Sequence, residues 1–167
     1  HQHGASGGSG YAVEFAGEAI AALGVEARLT LCNMAVEFGA FTGIVAPDER
    51  TIEYVRGRPF APQGADWDRA VAHWRTLRSD PDAVFDRDLE VDCSRLTPQV
   101  TWGTSPQHGA GVDAAVPDPA AEADANRRSA MERALAYMDL APGTTLAGLP
   151  IAAAFIGSCT NSRLSDL

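Results

Sequence analysis

From Tyr11 to Ala16 apolar and polar positions alternate, which puts Tyr11, Val13 and Phe15 on one face and predicts a short strand. Residues 18–23 read as a short helical or turn segment closed by Gly24. Between Val25 and Phe38 the apolar positions Val25, Leu29, Cys32, Val36 and Phe38 recur near helical spacing, with Gly39 as the stop. Ile44 and Val45 predict a brief buried strand before a turn at Pro47. Asp48 stands where it can cap a helix from about Glu49 to Val55, and Gly57 ends that helix. After the proline-punctuated loop at 59–64, Asp66 is expected to cap a second, clearly amphipathic helix. Its stripe is Trp67, Ala70, Val71, Trp74 and Leu77.

Farther on, Phe85 to Val91 alternates as a strand, and the run from Thr101 to Pro119, rich in Gly, Pro and Ser, reads as a long loop. Residues 121–140 have helical spacing, with Met131, Leu135 and Met138 inward and Arg127, Arg128 and Arg133 outward. Ile151 to Ile156 is a continuous apolar run of strand length that leads at once into Gly157-Ser158-Cys159-Thr160-Asn161. Strands alternating with helices predict a layered α/β fold. The chain begins without Met and stops where a helical pattern starts, so the fold is expected to be truncated at both ends. The expected division is one αβ domain over about 1–150 and the start of a strand-turn-helix over 151–167.

Composition narrows the chemistry. The chain has 167 residues, 46% hydrophobic and 21% charged, enough for a globular core. All 13 basic residues are arginine. The absence of lysine removes Schiff-base chemistry and a Walker-type phosphate lysine. A net charge of -9 repels phosphate backbones and anionic membranes, so neither nucleic acid nor membrane is an expected partner. Cysteines at 32, 93 and 159 are too scattered for a disulfide framework, which favours a reducing, cytoplasmic setting.

Two places have the residue types that chemistry needs. Cys159 follows a predicted strand at the amino end of a predicted helix, where backbone N–H groups favour a thiolate and ligands collect in open α/β sheets. A buried, inert cysteine at a strand end fits the same pattern. Asn33 and Glu37, four residues apart on the predicted helix, share one face, so an amide and a carboxylate can converge on one ligand. An ordinary solvated pair has the same spacing. His73 falls on the polar side of its helix, His108 lies in the long loop, and Trp102 is expected to pin that loop to the domain.

Five segments then resemble, in order, stretches of the aconitase superfamily: Leu31-Cys32-Asn33-Met34-Ala35-Val36-Glu37, Val45-Ala46-Pro47-Asp48-Glu49, Ala61 to Trp67, Val100-Thr101-Trp102-Gly103-Thr104, and Phe155 to Arg163. The resemblance runs from about Gly4 to the last residue, so the glycine-rich start is expected to be native sequence. It is closest to the large subunits of the isopropylmalate dehydratase branch, the heteromeric hydro-lyases of leucine biosynthesis.

The resemblance implies a layered aconitase-like fold and a four-iron four-sulfur cluster held by three cysteines. Cys159 matches the first of these, the only one in this chain. The cluster acts as a Lewis acid on the substrate hydroxyl. Asn33 and Glu37 match the Asn and Glu that line the cluster pocket. The implied partners are a small hydroxy-diacid and a small subunit carrying the swivelling domain with the serine base. After Trp102-Gly103 this chain reads Thr104-Ser105-Pro106-Gln107-His108 where isopropylmalate enzymes commonly read Thr-Asn-Pro, so a related diacid such as 2-methylmalate is the alternative substrate. An inactive interaction domain of the same fold is a further alternative. The RNA-binding branch of the superfamily is disfavoured by the charge.

Overall fold

The computed structural model describes residues 4–158 and 160–166. They form mixed α/β structure in two compact units, one spanning Gly8–Val91 and the other residues 92–166 with residues 4–7.

In the first unit β1 (Ala12–Glu14) is followed by α1 (Glu18–Ala22), α2 (Val25–Met34), β2 (Thr42–Ile44), α3 (Glu49–Val55) and α4 (Ala65–Trp74). β1 and β2 pair in parallel, Ala12 with Thr42 and Glu14 with Ile44, so the two helices between them form the crossover that a parallel pair requires. The pairing extends at both ends: Phe41 N–H donates to the Tyr11 carbonyl and Phe15 N–H to that of Ile44, each at 2.8 Å. Asp48 caps α3 as expected, its carboxylate accepting from Thr51 N–H at 3.0 Å. The core joins Ile52 of α3 to Trp67 and Val71 of α4, with Val55, Ala61 and Trp74 packed around them. Trp74 meets Trp67 edge to face at 5.6 Å.

The apolar stripe of α4 is therefore as read, except that Leu77 lies past the helix and is exposed. Gly64, rather than Asp66, is the cap. Asp66 sits within the first turn, paired with Arg69 and near the positive end of the helix dipole.

The close approach of α2 to β2 depends on Gly43. A Cβ there would stand 2.9 Å from the Ala35 Cβ and 3.0 Å from the Cys32 backbone. Gly43→Ala is expected to destabilise the protein by about 1–3 kcal/mol through overpacking. A lower urea midpoint is the readout, and an unchanged midpoint would mean that α2 and β2 move apart without cost.

Two strand expectations in this chain fail for a common reason. Phe85–Val91 is irregular and exposed, with Phe85, Leu89 and Val91 interleaved with Asp86, Arg87, Asp88 and Glu90. Ile151–Ile156 is likewise not a strand, and Phe155 is 90% exposed. Alternation or an apolar run supplies suitable side chains, but a strand also needs a neighbour to receive its backbone hydrogen bonds. Among the described residues neither segment has such a neighbour. Ile44 does fall in a strand, yet it is half exposed rather than buried.

In the second unit β3 (Gln99–Thr101) and β4 (Gly109–Gly111) form an antiparallel pair, so part of the expected long loop is a hairpin. Two short 3₁₀ turns lie in the same stretch, Pro106–His108 between β3 and β4 and Pro119–Ala121 after β4. α5 runs over Ala125–Met138, capped by Asp124 through Arg127 N–H at 2.8 Å. Trp102, Val116, Ala134 and Leu135 are buried together, and Met131 packs against them. Met138 is instead exposed, at the end of the helix. A last 3₁₀ turn covers Leu164–Asp166. Among the described residues no helix is long and apolar enough to cross a membrane.

Candidate functional site

Asn33 lies in the last turn of α2, but Glu37 lies three residues past its end. The expected helix to Phe38 stops at Met34 because the bonding tightens. Ala35 N–H still reaches back four residues to the Leu31 carbonyl. After it, Val36 N–H bonds Asn33, Glu37 N–H bonds Met34 and Gly39 N–H bonds Val36, each three residues back. Ala40 N–H then closes the reversal on the Ala35 carbonyl at 3.0 Å and delivers the chain to β2. The shared helical face is thus replaced by one tight turn. Both side chains are exposed, and neither has an internal partner among the described residues. An amide and a carboxylate are held close in sequence on an ordered turn, free to bind.

Sequence reading missed the group that anchors this helix. Arg28 of α2 is 4% exposed and donates to Asp48 at 2.7 Å, to the carbonyls of Ala21 and Leu23 at 3.1 Å, and to Thr51 Oγ1 at 3.4 Å. One guanidinium therefore ties α2 to α1 and to the amino end of α3. The bond from Arg28, helped by Thr51 N–H and opposed by burial, holds the Asp48 carboxyl well below the usual carboxylate range. The signal was there as an arginine set among the apolar positions Val25 and Leu29, but helical spacing alone reads it as a solvated residue.

Cys32, beside Asn33, is half-buried, and burial pushes its thiol up, outweighing a bond at Val45. A thiol kept protonated is a poor metal ligand and nucleophile. Cys93 is exposed. Cys159 lies outside the described residues. The residues on either side of it are small and polar, and Ser158 organises them: its hydroxyl accepts from Asn161 N–H at 2.7 Å and Thr160 N–H at 3.1 Å, while its own N–H donates to Ser162 Oγ at 2.9 Å. Among the described residues no three His, Cys, Asp or Glu side chains converge, so they do not by themselves make a metal site.

His73 is exposed, as expected. His108 is not a surface loop residue: it is 6% exposed and stacked on Trp102 at 4.8 Å. The indole is buried as the anchor that the sequence suggests.

The chain is 68% identical over 154 residues to the 3-isopropylmalate dehydratase large subunit of Cupriavidus necator, a match covering 92% of this chain and 58% of that protein. It is 60% identical over 164 residues to the 3-isopropylmalate dehydratase large subunit 1 of Bradyrhizobium diazoefficiens, covering 98% of this chain and 34% of that protein. The chain thus spans between a third and three fifths of these relatives. Residues 1–167 match the model of the aconitase family (aconitate hydratase), and the chain belongs to that family.

Proposed function

We propose that this chain is part of the large subunit of a 3-isopropylmalate dehydratase, a hydro-lyase of leucine biosynthesis acting in the cytoplasm with a small subunit. The observation that carries this reading is 60–68% identity, over nearly all of the chain, to proteins bearing that name. The implied partners are a small hydroxy-diacid and the small subunit with its swivelling domain, with no role for nucleic acid or membrane. Residues 151–167 would carry the turn that holds the cofactor, after an αβ domain to about residue 150.

Cys159 would hold a four-iron four-sulfur cluster as one of three thiolates, in a turn of small residues that admits it. When bound, such a cluster supplies Lewis-acid chemistry toward a hydroxyl. The Glu37 carboxylate accepts a hydrogen bond from the substrate hydroxyl and orients it, and the Asn33 amide donates to a substrate carboxylate.

In the protein that carries this chain, Glu37→Gln and Asn33→Ala are each expected to leave the cluster's visible absorbance intact while lowering kcat on the order of a hundredfold. Loss of that absorbance in both variants would assign them a structural role instead.

With the small subunit present and iron and sulfide reconstituted, 3-isopropylmalate is expected to yield alkene absorbance faster than 2-methylmalate. The Thr104–His108 sequence favours the second substrate, and a reversed preference would establish it. Turnover of neither, in a preparation holding its cluster, would leave the interaction-domain reading in place.

A further inference from the structure

The loop joining β3 to β4 is closed twice. Trp102 N–H donates to the His108 carbonyl at 3.0 Å, and the His108 side chain returns over the loop so that its Nδ1 accepts Thr104 N–H at 3.2 Å. His108 N–H in turn donates to the Ser105 carbonyl at 2.8 Å. The ring fits because position 103 is glycine: a Cβ there would stand 2.5 Å from Nδ1. An imidazole nitrogen that accepts an N–H carries no proton, so this arrangement requires the neutral ring with its proton on Nε2.

We propose that His108 is a proton-operated latch on the loop 103–107. Neutral, it holds Thr104 and covers Trp102. Protonated at Nδ1, it presents a donor to a donor and releases the loop.

The surroundings make the proton decisive. β3 contributes Gln99, Val100 and Thr101 and β4 contributes Gly109, Ala110 and Gly111, none of them titratable. The core around Trp102 adds Val116, Ala134, Leu135 and Met131, again without charge. On α5, Arg128 is engaged with the Glu122 carbonyl and Arg133 with Ser129, and Glu132 is exposed. Asp113, past β4, stands beside Gly111. Among the described residues no carboxylate compensates a charge on the ring, and burial pushes its pKa below the ordinary histidine value. The unfolded chain then takes up the proton first. The latch's contribution is therefore complete above the ordinary value, about 6.5, and is lost as pH falls below it. The Trp102 Nε1–H is buried with no hydrogen-bond partner among the described residues, so packing and the adjacent His108 ring hold the indole.

The test is hydrogen exchange of the Thr104 amide in the protein that carries this chain, expressed as protection to remove the intrinsic pH dependence. Measurements at about pH 7.5 and about pH 5 bracket histidine titration. The amide is expected to be protected at the upper pH and to lose that protection at the lower, whereas in His108→Gln, which does not titrate, protection is the same at both. Unchanged protection in the unsubstituted protein, or the same loss in the variant, would overturn the latch. Should the variant not fold, the ¹⁵N shift of His108 Nδ1 in the unsubstituted protein decides: a bare Nδ1 that gains its proton in step with the loss at Thr104 supports the latch, and a protonated Nδ1 at about pH 7.5 refutes it. These readouts do not involve dehydration of any substrate, so they stand or fall separately from the proposed activity.

Discussion

Replacing Asp48 by alanine is expected to lower the unfolding free energy of the protein by about 3–5 kcal/mol, the cost of stranding a buried charge. The Arg28 guanidinium left behind is 4% exposed and would keep only the carbonyls of Ala21 and Leu23 and the Thr51 hydroxyl. The same substitution removes the cap of α3, itself worth about 1 kcal/mol. Arg28→Met should cost less, because Asp48 is 22% exposed and can turn to water. The double variant should be more stable than Asp48→Ala alone, since no uncompensated charge remains. Urea unfolding of the three proteins checks this order, and equal losses in both single variants would mean that packing, not charge, dominates. Arg28→Lys is not expected to rescue, because an ammonium lacks the planar fork that reaches α1 and Asp48 at once. The pH dependence has a definite sign. Asp48 titrates below its unfolded value in the native state, so its contribution is complete above the ordinary aspartate pKa of about 3.9 and fades as pH falls below it.

Cys159→Ser is expected to abolish stable cluster binding in the protein that carries this chain, because a hydroxyl is a poor substitute for a soft thiolate on iron. Serine at Cys32 should leave iron content unchanged and cost about 1 kcal/mol of stability, because the side chain is half-buried. Serine at the exposed Cys93 should change neither. Iron and labile-sulfide analysis after anaerobic reconstitution separates the three. Iron retained in Cys159→Ser would remove the cofactor assignment, and equal loss in all three would make the chain's own cysteines the ligand set.

The family was legible in the sequence because its signatures are short and local. Asn33, Glu37 and the Gly157–Asn161 run are recognisable with no knowledge of what surrounds them, and the match over residues 1–167 agrees. The αβ alternation, the Asp48 cap and the Trp67–Val71 stripe of α4 were legible for a similar reason. A cap depends on backbone groups three residues away, and a helical stripe on side chains one turn apart.

Tertiary structure alone decided what depends on partners distant in sequence. Phe85–Val91 and Ile151–Ile156 have the side chains of strands, but among the described residues no strand lies beside them to complete a ladder. α2 ends at Met34 rather than Phe38 because the chain must reverse for Phe41 to reach Tyr11. Arg28 and Asp48 are 20 residues apart, so neither one's burial nor their pairing is written in a local pattern. His108 is buried because Gly103 leaves room for its ring over Trp102. Local spacing set the Asp48 cap and the α4 stripe, and the closing of turns on distant backbone set which side chains are held, exposed or shielded from water.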